Sequence, residues 1–284
     1  MIAHPFSYAC PASAAEAAQL LAAAGGGGAV LAGGTWLVPH MSRAEERPSI
    51  VVDLRLLGLS GAWEEDGAVV LGPCITYDGL RASALVRNAL PLLVIMAEGV
   101  SGGRGITGQG TIGGSACYAT PASDIPGCLV ALGARLRLTS REGAREVPAA
   151  SFFTGPFRTV RQAGEFLSAI VFDRPSGVTV AGYHKLKLSG SSWPIVTAAC
   201  CLERHGDGSM HATVAIGAAG PVPVAATALL PSSDPAPLWR LAEAATGMLT
   251  EGWSDELADA GYRLEVAPEI VRRAVEAGLE ALHV

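Results

Sequence analysis

The amino-acid sequence predicts an α+β protein of 284 residues built from two units. Strand-like and helix-like segments alternate through residues 1–175, and a Pro/Gly/Ser cluster lies at Asp173–Gly177. Beyond that cluster, strand-like runs precede helical segments. Because a chain of this length can bury a core in each of two units, we place the units at residues 1–175 and 176–284.

The first unit divides into two parts, of which the first covers about residues 1–55. A capping box at Ser13–Glu16 opens an alanine-rich helix, because the serine oxygen can accept a hydrogen bond from a first-turn amide. The glycines at 25–28 end that helix. The other predicted elements of this part are a buried strand at Ala29–Ala32, a helical turn at Trp36–Met41 and a strand at Ser49–Leu54.

The second part of the first unit, about residues 56–175, and the C-terminal unit show the same two kinds of pattern. The second part is predicted to have strands at Ala68–Leu71, Arg135–Leu138 and Glu165–Phe172, and helices after Thr76, over Asn88–Glu98 and from Ser123 to about Leu132. The C-terminal unit is predicted to have strands at Val178–Leu188, Ile195–Glu203 and His211–Gly217, and helices at Pro237–Leu249 and Pro268–Leu282.

Composition and charge exclude several classes of function. The net charge is −6 and no block of Lys or Arg stands out, so we expect no nucleic-acid partner. The longest apolar run, Ala89–Ala97, is too short to cross a bilayer, and the N-terminal alanine-rich stretch has no preceding basic residue. We therefore expect a cytoplasmic protein with no membrane span.

The cysteines and histidines show no ligand spacing. The six cysteines lie mostly within apolar sequence and form no CxxC pattern, so we interpret them as reduced core thiols. No cysteine set here is suited to an iron-sulfur cluster. The six histidines form no HExxH motif, so no metal site is predicted.

Two glycine-rich tracts point to a ligand. We name Ala32–Trp36 the first glycine loop and Gly110–Ser115 the second glycine loop; each has adjacent glycines near a threonine. Without a Cβ, a Gly-Gly pair can turn its amides toward one point and form an anion-binding nest, to which the threonine hydroxyl adds a donor. Two such nests predict a diphosphate, and therefore a dinucleotide.

A competing motif is weaker. Gly103–Gly108 matches GxGxxG, and so does Gly108–Gly113. A Rossmann fingerprint follows a strand and opens a helix, whereas a helical segment precedes these glycines. We do not interpret them as a Rossmann site.

Four segments in order carry a family resemblance. They are AGGTWLVPHM, GTIGGSACYATPASDIPGCLVALGARL, SFFTGPFRTVRQAGEFLSAIVF and Gly182-Tyr183-His184-Lys185. Together they resemble the FAD-binding medium subunits of molybdenum hydroxylases, the group of carbon monoxide dehydrogenase and the xanthine dehydrogenase flavin domain. Trp36 and Ser115 depart from the family pattern, which usually has a small polar or acidic residue and an asparagine there.

The resemblance implies a fold and a cofactor. It implies a two-subdomain FAD-binding domain of the vanillyl-alcohol oxidase-like type at residues 1–175, followed by a small α+β C-terminal domain at 176–284 that covers the flavin. The FAD diphosphate would lie between the two glycine loops. The implied cofactor-binding residues are Ala32, Gly33, Gly34, Thr35, Trp36, Ser101, Thr111, Ile112, Gly113, Gly114, Ser115, Asp124, Leu167, Tyr183 and Lys185.

Roles for four of these residues follow from the resemblance. Lys185 would lie near the flavin ring, where positive charge favours the reduced form, or would be a solvated residue on the same strand face as Lys187. Tyr183 would stack on the ring or pack in the sheet. Asp124 would accept from ribityl or ribose hydroxyls, or would only be a first-turn acid at a helix start. Leu167 would present backbone groups or its side chain to the ring.

The resemblance also implies a function. The chain would be an FAD-carrying electron-transfer subunit that takes electrons from the [2Fe-2S] clusters of a small partner subunit and passes them to an external electron acceptor. A large molybdopterin subunit would hydroxylate the substrate. No catalytic side chain and no metal are assigned to this chain. The alternatives are a free-standing FAD-dependent oxidoreductase and a cofactor-free scaffold module.

Overall fold

The computed structural model describes residues 2, 4–231 and 235–283. Its helices are α1 (Ala14–Ala24), α2 (Leu37–Ser42), α3 (Tyr77–Ala82), α4 (Ala84–Ala89), α5 (Pro91–Glu98), α6 (Arg104–Thr107), α7 (Ile112–Tyr118), α8 (Asp124–Ala131), α9 (Ala149–Phe152), α10 (Pro235–Gly247) and α11 (Ala260–Leu282). Its strands are β1 (Ser7–Ala9), β2 (Gly28–Leu31), β3 (Ile50–Asp53), β4 (Ala62–Glu65), β5 (Ala68–Leu71), β6 (Arg135–Ser140), β7 (Gly143–Pro148), β8 (Phe153–Gly155), β9 (Arg158–Thr159), β10 (Phe166–Asp173), β11 (Val178–Lys187), β12 (Pro194–Arg204), β13 (Met210–Gly217) and β14 (Val224–Leu230).

A parallel sheet of order β1-β3-β2 lies at the N-terminus. The predicted capping of α1 is confirmed, because the Ser13 hydroxyl accepts from the Glu16 amide at 3.2 Å. The helix buries Ala17, Ala18 and Leu21 in a small core with residues of β3. The first glycine loop therefore follows directly from β2, which is a strand of this packed layer.

The central sheet is antiparallel and has the order β4-β5-β10-β6-β7. Helices α3, α4, α5 and α8 contribute to the large apolar core beside it, with Leu92, Met96 and Leu129 fully buried. This core also takes in Ala181 and Ala199 from the next sheet. The second glycine loop and Asp124 therefore lie between two sheets that share one core.

The C-terminal sheet is an antiparallel meander, β11-β12-β13-β14. Alternate residues of a strand face opposite sides, and the two faces have different partners. Val196 and Cys200 pack with α10 and α11, whereas Ala199 and Ala215 belong to the core that contains α8. The sheet thus places one face of β11 and β12 toward the site.

Most predicted elements are confirmed, and the differences have local causes. The helix predicted over 88–98 is α5, which begins at Pro91, because residues 88 and 89 belong to the preceding helix α4. The last helix begins at Ala260 rather than at Pro268, because Asp259 caps it. Pro268 lies inside the helix, where it removes one amide donor and its ring crowds the preceding turn. The strands that were not predicted are β1, β4, β7, β8, β9 and β14.

Two further expectations concern composition. Within the described part of the chain, no helix combines the length and apolarity needed to cross a membrane. All six cysteines are free thiols, of which Cys128 and Cys200 are buried and the others are half-buried.

Helix α5, not a strand, precedes the GxGxxG glycines, and Gly103–Gly108 spans the single turn of α6.

Candidate cofactor site

The two glycine loops meet in space. A Cβ placed on Gly33 would lie only 1.8 Å from the carbonyl oxygen of Gln109 and 3.3 Å from the Cα of Gly110. Real Cβ atoms do not approach a backbone oxygen this closely, so only glycine fits at position 33. The first loop therefore rests directly on the backbone where the second loop starts, although 77 residues separate Gly33 from Gly110 in the sequence.

The first glycine loop leaves its amides available. Gly34 adopts φ +71°, which bends the chain between β2 and α2. Within the described part of the chain, the amides from Gly33 to Trp36 and the Thr35 hydroxyl donate to no protein acceptor. These residues are half-buried, so the unpaired amides form a partly enclosed donor set. An anion is the ligand that satisfies such a set.

The second glycine loop differs from the predicted nest, because its amides from Ile112 to Ser115 already donate to protein acceptors. Thr111 is the N-cap of α7, and Gly113 is packed against Pro73. The amides donate as follows: Ile112 to the Ile75 carbonyl (3.1 Å), Gly113 to the Pro73 carbonyl (2.9 Å), Gly114 to the Thr111 hydroxyl (3.1 Å) and Ser115 to the Thr111 carbonyl (3.0 Å). The loop can therefore reach a ligand through exposed Gly114 and the half-buried Ser115 hydroxyl.

A series of aromatic side chains in contact with one another runs from the first glycine loop to the C-terminal unit. The Trp36 ring stacks on His40 with a centroid distance of 4.1 Å and lies 4.6 Å from Tyr118 at the end of α7. Tyr118 in turn contacts Phe157, which contacts Trp253 of the C-terminal unit. The bulky residue that departs from the family pattern thus fills the space between the first loop and α7. Its buried Nε1 donates to no acceptor among the described residues.

A buried polar cluster lies at the start of α8. The Asp124 Oδ1 atom accepts from the Tyr183 hydroxyl at 2.5 Å and from the Lys185 Nζ at 2.8 Å. The side chains of Lys185 and Asp124 are 8% and 11% exposed, so the alternative that Lys185 is a solvated strand residue is wrong. Ser123 caps α8 by accepting from the Ile125 amide, and Asp124 is a first-turn acid as well as an ion-pair partner.

One oxygen of this cluster is available for a hydrogen bond from a ligand. Burial, and next the charge of Asp124, hold the pKa of Tyr183 well above its usual value, so the phenol remains a donor. The Lys185 Nζ and the Asp124 Oδ1 form an ion pair 2.8 Å long. Within the described residues the second oxygen of Asp124, Oδ2, accepts no hydrogen bond, and it can accept from a ligand hydroxyl.

The remaining predicted residues occupy different environments. Ser101 donates to the Ser192 carbonyl at 3.0 Å and receives a bond from Lys187 at 3.3 Å. Its loop follows α5, whose C-cap Gly99 lies against Lys185. The Leu167 side chain is buried in the central core, beside a bulge in β10. The cofactor contacts of all these residues stay predictions.

Tyr77 is a site residue that the sequence did not indicate. Its hydroxyl lies 2.6 Å from the Ser115 Oγ, and its ring is buried under the second glycine loop. The sequence predicted Thr76 as a helix cap, which is confirmed, but nothing marks the next residue as part of a ligand site. Its partner is 38 residues away in the chain.

The residues present fit a dinucleotide. The first loop offers unpaired amides to a diphosphate, the second offers the Ser115 hydroxyl, and Asp124 retains a free carboxylate oxygen. The Gly33 contact leaves no room for a side chain between the loops. An α+β fold with this pair of loops defines a dinucleotide-binding protein.

Comparison with known proteins specifies the class. Residues 4–174 match the family described as the FAD binding domain in molybdopterin dehydrogenase. The chain is 33% identical over 281 residues to the carbon monoxide dehydrogenase medium chain of Afipia carboxidovorans, with 97% of each chain covered. It is 29% identical over 278 residues to the nicotine 6-hydroxylase medium subunit of Paenarthrobacter nicotinovorans, covering 95% of this chain and 96% of that one.

A solved structure agrees in fold. The crystal structure of the Cu,Mo-CO dehydrogenase in its cyanide-inactivated form contains a chain that superposes with a TM-score of 0.89 at 31% identity, covering 99% of this chain and 100% of that one. The chain belongs to the family of FAD-binding medium subunits of molybdenum hydroxylases. Its cofactor is FAD, and it is an FAD-dependent oxidoreductase subunit.

Proposed function

We propose that this chain is the electron-transfer subunit of a molybdenum hydroxylase complex. It takes electrons from the [2Fe-2S] clusters of a small partner subunit and passes them to an external acceptor, while a large molybdopterin subunit carries the substrate pocket. The observation that carries this proposal is the end-to-end match, over 97% of both chains, to a protein that is itself named a medium chain. The sequence also has no cysteine set for a cluster of its own.

Different residues bind different parts of the cofactor. We assign the diphosphate to the unpaired amides between Gly33 and Trp36, with the Ser115 hydroxyl facing it from the second loop. Asp124 accepts from a ribityl or ribose hydroxyl through its free oxygen. The bound FAD supplies a redox group that exchanges electrons with donors and acceptors.

Lys185 acts on the flavin ring together with Asp124, its ion-pair partner. Its ammonium is compensated by Asp124 at 2.8 Å, so the ring experiences a dipole rather than an isolated positive charge. The Tyr183 phenol donates to the same Asp124 oxygen, Oδ1, and holds the carboxylate in place. Loss of Lys185 would leave a buried carboxylate beside the ring, and loss of the carboxylate would leave a buried ammonium.

The proposal is tested by mixing the separately purified chain, loaded with FAD, with the small iron-sulfur subunit of the same complex. The small subunit is first reduced with dithionite and freed of excess reductant. We expect the visible flavin absorbance of this chain to fall on mixing, and to stay unchanged when the small subunit is left oxidised. Unchanged absorbance with the reduced subunit would contradict the proposal. So would turnover of a small molecule by the FAD-loaded chain alone.

A further inference from the structure

Tyr77 supports the second glycine loop from below. It is the first residue of α3, and its side chain is 6% exposed. A Cβ placed on Gly110 would lie 3.1 Å from the Tyr77 Cε2 atom, so the loop packs directly on the ring. The preceding residue, Thr76, forms a β-bridge with Thr111. The ring and the backbone together fix where α7 begins.

The phenol continues this contact with a hydrogen bond. Its oxygen lies 2.6 Å from the Ser115 Oγ, and either hydroxyl can be the donor. The two hydroxyl groups carry two hydrogens, and only one of them lies in this hydrogen bond. The other hydrogen is available to a second acceptor. Because Ser115 is half-buried while Tyr77 is buried, that second acceptor is reached from the serine.

The surroundings keep this pair neutral. Burial raises the pKa of Tyr77 to about 12, although the hydrogen bond with Ser115 acts in the opposite direction. The phenol therefore holds its proton at neutral pH and can donate to Ser115. If it does so, the serine hydrogen is directed away from Tyr77 and toward the site.

We propose that Tyr77 is a positioning residue of the FAD site, whose phenol orients the Ser115 hydroxyl toward the diphosphate. The inference rests on the proposed placement of FAD between the two loops. It assigns a cofactor-directed role to a residue on α3, outside both loops. A role in packing alone would require only the aromatic ring, whereas orientation of Ser115 requires the oxygen.

Substitutions at both ends of the pair separate these roles. The variants are Tyr77→Phe, Ser115→Ala and the double variant, and the measurements are the FAD dissociation constant by fluorescence titration and the melting temperature without FAD. We expect each single variant to weaken FAD binding about 3- to 10-fold, as loss of one hydrogen bond does. The double variant should be no weaker than Ser115→Ala, because both changes remove the same interaction.

A matched control is Tyr8→Phe. The Tyr8 phenol makes a bond of the same length, 2.6 Å, to Asp53 in the N-terminal sheet. Its removal should lower the melting temperature and leave FAD affinity unchanged. If Tyr77→Phe does not fold, Ser115→Thr, which keeps the hydroxyl, should bind FAD more tightly than Ser115→Ala.

Two results would overturn the inference while leaving the proposed function intact. One is wild-type FAD affinity in Tyr77→Phe or in Ser115→Ala. The other is a double variant whose loss equals the sum of the single losses. Failure of the wild-type chain to accept electrons from the small subunit would instead count against the proposed function alone.

Discussion

The two glycine loops have similar sequences and different hydrogen bonding. Both place adjacent glycines beside a threonine, but the amides from Gly33 to Trp36 are unpaired within the described chain, whereas those from Ile112 to Ser115 all have protein acceptors. The threonines differ likewise: among the described residues the Thr35 hydroxyl makes no hydrogen bond, whereas Thr111 caps α7. We propose that the first loop binds the diphosphate, whereas the second loop begins a helix.

The two patterns of hydrogen bonding predict which substitutions change FAD affinity and which change the stability of the protein without FAD. Unpaired amides in a half-buried loop gain a partner only when a ligand arrives, so substitutions there should act mainly on FAD affinity. Amides that already cap a helix contribute to the protein without FAD, so substitutions there should act mainly on stability.

The largest effect is expected for Gly33→Ala. The added Cβ would lie 1.8 Å from the Gln109 oxygen, and since that atom belongs to the backbone the loops must separate. A clash of this kind typically costs 1–3 kcal/mol, so we expect FAD affinity to fall up to about 100-fold. Gly26→Ala is the control, because a Cβ there meets nothing within 4 Å. Equal FAD affinity of the two variants, by fluorescence titration, would show that the loops do not form one site.

Gly113→Ala should act on folding instead. Its Cβ would lie 2.3 Å from the Pro73 Cβ and 2.7 Å from the Pro73 oxygen, which accepts the Gly113 amide. We expect the free energy of unfolding without FAD, measured by urea titration, to fall by about 1–3 kcal/mol. Unchanged stability combined with weakened FAD binding would contradict the distinction between the loops.

Alkaline pH probes the phenol under the second loop. The unfolded chain loses the Tyr77 proton near pH 10, while the folded chain holds it to about pH 12, so unfolding releases a proton in this range and stability falls as pH rises. Between pH 9 and 11 the wild type should lose about 1 kcal/mol more stability than Tyr77→Phe. Parallel pH profiles of the two proteins would show that this phenol is not held neutral.

The smallest effects distinguish the two threonines. Thr111→Val removes the N-cap acceptor of the Gly114 amide and should lower stability without FAD by about 1 kcal/mol. Thr35→Val should leave that stability within about 0.5 kcal/mol of wild type and weaken FAD binding several-fold. Melting curves and FAD titrations of both variants supply the comparison. The account is wrong if the two variants show the same pattern.

Much of the fold was predictable because its signals are local. Ser13 caps α1, and the strands β11, β12 and β13 lie close to their predicted bounds. Strand β14 was missed because its apolar residues follow a Gly/Pro-rich stretch and its pairing partner decides its conformation. The start of α11 was missed because Pro268 is typical of a first turn, although a helix can also contain it.

The sequence indicated which residues belong to the site, but it did not indicate which hydrogen bonds they make. The paired glycines indicated both loops, and the family resemblance added Asp124, Tyr183 and Lys185, which the structure brings together. Nothing local shows that Pro73 and Ile75 supply the acceptors for the second loop, since those carbonyls come from a separate segment. For the same reason the Tyr77 contact with Ser115 could not be read from the sequence.

The most direct test of the account is a crystal structure of the chain with FAD bound. We predict that diphosphate oxygens lie about 3 Å from amides between Gly33 and Trp36, that the Ser115 hydroxyl faces them, and that the Gly113 amide still donates to Pro73. A diphosphate held away from the first loop would contradict the account. So would a Gly113 amide that leaves Pro73 to bind the phosphate.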